Sequence, residues 1–129
     1  MRTKEQERAR GAHKAVKAID GDPAKTPKFK KEYGGLCLDL APLILKNGLC
    51  QTVAFYQAKS KREHFKLLLR DFALVCSSLQ ADAYAARVRD ADVAGYQQMT
   101  HEALACAQWF KRYAEAVLRA VPGDQGSNG

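Results

Sequence analysis

The pair Asn47-Gly48 splits the least charged stretch of the chain, Leu36–Tyr56, in which only Asp39 and Lys46 are ionised. Asn and Gly tolerate the left-handed backbone that ends a helix, so one helix stops here and another starts. Leu36, Leu40, Leu43 and Ile44 share a face before the break, and Leu49, Val53 and Tyr56 share one after it. Apolar residues at i, i+3, i+4 and i+7 mark the buried stripe of an amphipathic helix. Two such helices in succession form a hairpin or corner around which other helices pack. Pro42, inside the first arm, removes a backbone donor, and a kink or interruption is expected there.

The same period runs through the rest of the chain. A helix over Lys4–Ile19 carries Ala9, Ala12, Val16 and Ile19 as a narrow apolar stripe. On its far side Arg10, Lys14 and Lys17 form a basic line, with no acid placed to pair with Lys14 or Lys17 at i, i+4. Asp20-Gly21-Asp22-Pro23 is a turn. Thr26-Pro27 then opens a helix to about Lys46, with Thr as cap and Pro at the first helical position. Phe29, Tyr33, Leu36 and Leu40 keep one phase through Gly34-Gly35, so a bend is expected at the glycines or Pro42; alternatively the glycines split the helix. Lys25, Lys28, Lys30 and Lys31 crowd its N-terminus, where cations oppose the helix dipole and suggest a function.

A third helix covers Leu49–Ala58, and a basic linker, Lys59-Ser60-Lys61-Arg62, leads to a fourth over Arg62–Leu79. Phe65, Leu68, Leu69, Phe72, Val75, Cys76 and Leu79 give it the wide apolar face of a central bundle helix. Arg62, Lys66 and Arg70 line its flank. The Ala-rich Gln80–Asp92 reads as a short helix and connector, and a long helix follows over Asp92–Val121. In that helix Trp109 and Tyr113 flank the buried stripe and read as core edge in preference to partner contact. Pro122-Gly123 ends it. The expected fold is all-α, a single-domain bundle of five or six helices over residues 1–122, followed by a disordered tail, 123–129.

Net charge is +7 and unevenly spread. Residues 1–70 hold 16 Lys/Arg against 7 Asp/Glu, and residues 71–129 hold 5 against 7. Such a basic half suits a polyanion. Cys37, Cys50, Cys76 and Cys106 form no CxxC pair, and no ligand cluster points to zinc or to any other metal or cofactor. A charged N-terminus and the lack of any run near the roughly 18 apolar residues of a membrane span fit a cytoplasmic protein without membrane contact. His13, His64 and His101 lie far apart on polar helix faces and read as surface residues. No paired-carboxylate, HExxH or phosphate-loop motif is present, so the sequence reads as a scaffold or binder without catalytic residues.

The opening MRTKEQERARGAHKAV and the run LAPLILKNGLCQTVAFY, with Pro42, Asn47, Gly48, Leu49, Gln51, Ala54 and Phe55 in order, resemble the small helical subunit of the Cmr complex. That complex is the type III-B CRISPR RNA-guided effector of antiviral defence. The resemblance is densest over residues 1–60. It implies an all-helical structural subunit, present in several copies that stack head to tail. They would lie beside other Cmr subunits and face guide RNA paired with target RNA, the cutting falling to a larger subunit. It places no ligand signature on single residues. The RNA-backbone-binding candidates come from charge: Arg10, Lys14, Lys17, Lys59, Lys61, Arg62, Lys66 and Arg70, expected to form one face that grips phosphates without reading sequence. A basic helical adaptor for an acidic protein is the alternative. A small nuclease is a further rival, with His64 as its best available base.

Overall fold

Short polar side chains open three of the helices. Thr3 starts α1 (Lys4–Asp20) with a reciprocal cap: its Oγ1 accepts from the Gln6 backbone N–H at 3.1 Å, and Gln6 Oε1 accepts from the Thr3 N–H at 2.9 Å. Thr26 Oγ1 accepts from the Phe29 N–H at 3.0 Å and opens α2 (Pro27–Asn47), with Pro27 at the first position. Asp92 does the same for α6 (Val93–Leu118) through the Gly95 N–H at 2.8 Å. Between them lie α3 (Leu49–Ala58), α4 (Glu63–Ser77) and α5 (Ala81–Asp90). The structure, a computed structural model, describes residues 1–126, and among these every regular element is a helix.

The junction at Asn47-Gly48 holds as the sequence implies. Gly48 has φ +86°, a conformation that favours glycine, and its N–H still closes α2 on the Ile44 carbonyl at 2.8 Å. Nothing local caps α3. Instead Tyr96 of α6 reaches across, and its hydroxyl oxygen accepts the Cys50 N–H at 3.0 Å, serving one of the orphan donors of the new helix. Pro42 sits on the exposed side of α2, which continues past it to Asn47. Two boundaries are tighter than the sequence suggests. Ser78, at φ +61°, ends α4 before Leu79, and Arg119, at φ +58°, ends α6 before Val121.

The core is centred on α2 packed along α6, with α1 on the other flank of α6. α4 touches α1, α2 and α6, and α3 and α5 cover its remaining sides. Tyr33, Tyr56, Tyr84, Phe110, Leu36, Leu49 and Leu68 are fully buried. Each such side chain contributes about 1.5–3 kcal/mol by leaving water. Burial of two of the tyrosines is made tolerable by partners: Tyr33 donates to Asp71 Oδ2 at 2.6 Å, and Tyr56 to the Leu36 carbonyl at 3.3 Å.

Gly34 and Gly35 neither split α2 nor end it. They are fully packed because the segment after α6 crosses them. A Cβ on Gly34 would lie 2.9 Å from the Ala120 Cβ, and one on Gly35 would collide with the Gln125 backbone nitrogen. The segment is itself braced: Asp124 Oδ2 accepts the Val121 N–H at 2.9 Å, and Asp124 Oδ1 stands 3.8 Å from Lys31 Nζ. One lysine of the crowded α2 N-terminus thus has a structural partner. The expected disordered tail falls partly on residues 127–129, which lie outside the described residues; residues 124–126 lie against α2.

Candidate nucleic-acid interface

Because Ala12, Val16 and Ile19 bury one side of α1, Arg10, Lys14 and Lys17 are exposed on the other. None of the three forms an ion pair among the described residues. The small residue Gly11 lets α1 approach α4, its Cα lying where an added Cβ would sit 3.1 Å from the Val75 methyl groups. Beside this contact runs a groove of about 690 Å³, lined by Lys4, Arg8, Lys14, Leu74, Cys76 and Glu102. A second groove of about 940 Å³ lies between α4 and the α3 and α5 helices, lined by Gln57, Ser60, Lys66, Arg70, Leu74 and Asp82. Leu74, half-exposed, borders both grooves. The fold therefore sets Lys14 on one side of the Leu74 ridge and Lys66 with Arg70 on the other.

The floor of the first groove is held by Arg8 and Glu102, 94 positions apart in sequence. The Arg8 guanidinium donates to both Glu102 oxygens, at 2.8 and 2.6 Å. These bonds hold the Glu102 carboxyl below the usual carboxylate range, and the Cys106 thiol adds a donor at 3.4 Å. Arg70 donates through Nε to Asp71 Oδ1 at 3.0 Å, while its guanidinium stays about half exposed.

The other candidates face elsewhere. Arg62 stands 3.7 Å from Glu32 of α2 and lies over the Phe65 ring at 5.4 Å. Lys59 is placed over the Phe55 ring at 5.8 Å. Lys61 is exposed in the turn between α3 and α4. Arg10 lies toward α6, in a hollow with Arg2, Gln6, His13 and Tyr113.

His64 departs from the expected surface position: it is buried, 4% exposed. Phe29 and Phe65 enclose its ring at 6.3 and 5.0 Å between centroids, and the Gln125 backbone lies against it. Burial pulls the imidazole below its ordinary range, with Arg62 adding to the effect; Glu32 and the Gln125 backbone oppose it. Burial also pushes the Cys37 and Cys76 thiols well up, away from the thiolate a nucleophile needs. Among the described residues no three His, Cys, Asp or Glu side chains converge as a metal site. No helix of the described residues is long and apolar enough to cross a membrane.

Sequence reasoning missed the Arg8–Glu102 pair and the Arg2–His13–Tyr113 hollow. Both join α1 to α6, and no local spacing announces a contact across the length of the chain.

Comparison with known proteins agrees with this architecture. The family model for CRISPR-associated protein (Cas_Cmr5) matches residues 4–117. The CRISPR system Cmr subunit Cmr5 of Thermus thermophilus is 34% identical over 118 residues, spanning 92% of this chain and 98% of that protein. The crystal structure of a CRISPR-associated Cmr5 family protein, also from Thermus thermophilus, superposes with a TM-score of 0.81 at 32% identity, over 91% of this chain and 98% of that one. With a matching family model over most of its length, and a relative of the same size and fold, the chain belongs to the CRISPR-associated Cmr5 family.

Proposed function

We propose that this chain is a non-catalytic structural subunit of a Cmr complex, the type III-B CRISPR effector of antiviral defence in the cytoplasm. In it, copies stack on one another and on other Cmr subunits. Lys14, Lys17, Lys66 and Arg70 face the guide RNA–target RNA duplex and contact its phosphates. The observation that carries the RNA role is the exposure of Lys14, Lys17 and Lys66 with no ion pair among the described residues. Cations left without protein counter-charges are available to displace the counterions of a phosphate backbone. Such contacts position a duplex without reading its letters, which suits a subunit that must accept any guide. A buried His64 supplies no accessible base for chemistry on RNA.

The test is RNA binding by the wild-type chain and a Lys14→Ala/Lys66→Ala/Arg70→Ala variant, over a salt series and with duplexes of unrelated sequence. Wild type should bind all sequences alike, with affinity falling steeply with salt. The triple variant should flatten the salt slope by about 0.9 for each phosphate it no longer touches. An unchanged slope would show that the face is misassigned. Wild-type binding confined to acidic proteins would favour the adaptor reading.

A further inference from the structure

We propose that the hollow between α1 and the C-terminal part of α6 holds an unpaired base of single-stranded RNA, stacked against Tyr113, with the adjoining phosphate on Arg10 and Arg2. The hollow measures about 430 Å³, room for a nucleobase, and Arg2, Gln6, Ala9, Arg10, His13 and Tyr113 line it. The inference rests on the RNA-binding reading above, but it concerns a hollow that shares no lining residue with either groove beside Leu74.

Two rings, Tyr113 and His13, line the hollow as its aromatic wall, and Trp109 stacks on Tyr113 from outside the lining. Trp109 and Tyr113, one turn apart on α6, stack at 5.9 Å with 24° between their planes. His13 of α1 meets Tyr113 edge-on at 4.9 Å. Trp109 and Tyr113 are half-buried and packed on the core, so the wall is held in place before any ligand arrives. Every base has a π-face, so stacking on such a wall tolerates any sequence.

The charge around the wall fits a phosphate. No residue lining the hollow is acidic. Arg10 has no ion pair among the described residues. Arg2 stands 3.8 Å from Glu7, both exposed, a contact worth little in water and readily exchanged. Arg112 of α6 is engaged with Glu115 at 3.4 Å. Arginine beside aromatic rings is the usual composition of a single-strand platform. Bases inside a duplex are already stacked and paired and cannot enter, so the hollow separates single strands from duplexes in a way that a phosphate-binding face does not.

The full chain offers a direct readout, because Trp109 is its single tryptophan. Trp109 emission is followed during titration with single-stranded oligouridylate and oligoadenylate and with a duplex of equal length, and binding is measured separately by anisotropy of labelled RNA. Both single strands should shift or quench the emission saturably, and the bound duplex should leave it unchanged. Tyr113→Leu should weaken single-strand binding on the order of tenfold and leave duplex binding intact. Arg10→Ala, at an exposed position that folding does not depend on, should weaken it several-fold. Unaltered emission at saturating single strand overturns the inference and leaves the phosphate face standing, as does wild-type single-strand affinity in Arg10→Ala. Failure of the wild-type chain to bind either form overturns both.

Discussion

Asp71 illustrates how much a single buried carboxylate decides. It is 8% exposed, and its two oxygens are taken by the Tyr33 hydroxyl and the Arg70 Nε. The two partners are not equivalent. Tyr33 is fully buried, so removing its hydroxyl leaves an oxygen that water cannot reach; Arg70 is half exposed, and water can replace it. Tyr33→Phe should therefore lower the unfolding free energy by about 1–3 kcal/mol in urea melts. Arg70→Ala should cost less than about 1 kcal/mol. Equal losses, or none for Tyr33→Phe, would mean that this hydrogen bond does not tie α2 to α4. The apolar period marks Tyr33 as a core residue. Its partner lies 38 positions away, on a helix face where Asp71 looks like one more solvated acid.

At the scale of elements, the glycine pair of α2 is the most instructive. Glycine inside a helix costs about 1 kcal/mol relative to alanine, so Gly35→Ala should strengthen α2 considered alone. In the folded chain the added methyl meets the Gln125 backbone, which cannot step aside as a side chain would. Gly35→Ala is thus expected to lower the melting temperature of the full chain. In a chain ending at Val121 the same change should raise stability by up to about 1 kcal/mol. A stabilised full-length variant would place the C-terminal segment elsewhere. The sequence shows that helical phase passes through Gly34-Gly35. It cannot show why two residues unfavourable to helices are tolerated there, because the reason is a segment about ninety residues later.

For the molecule as a whole, acid should act in two stages. His64 has its folded pKa depressed by burial, so the stability it contributes is present above its unfolded value, about 6.5, and is lost as pH falls through the folded value. Glu102, depressed mainly by the Arg8 hydrogen bonds, follows the same sign at lower pH: its contribution is present above the unfolded carboxylate value and is lost as that carboxylate protonates. Asp39, raised by burial, works against the second stage. Thermal melts from about pH 7.5 to about pH 3 should show a decline whose upper part disappears in His64→Gln and whose part below about pH 4.5 shrinks in Glu102→Gln. A wild-type profile flat from neutrality down to about pH 5 would contradict the buried placement of His64.

The period of apolar residues, the cap at Thr26 and the break at Asn47-Gly48 determined by themselves that the chain is a helical bundle, and nearly where each helix lies. These are local quantities: side-chain spacing, hydrogen bonds within a few residues and backbone dihedrals. Charge also told locally that α1 carries a basic line. Only the tertiary structure decided where the cations lie, setting Lys14 in one groove beside Leu74 and Lys66 with Arg70 in the other, holding Arg62 beside Glu32, and bringing Arg10 to Tyr113. It also decided that His64 is buried and that two glycines receive the chain's end. Which helix flanks which depends on how several apolar faces fit together at once, and no window along one helix contains that information.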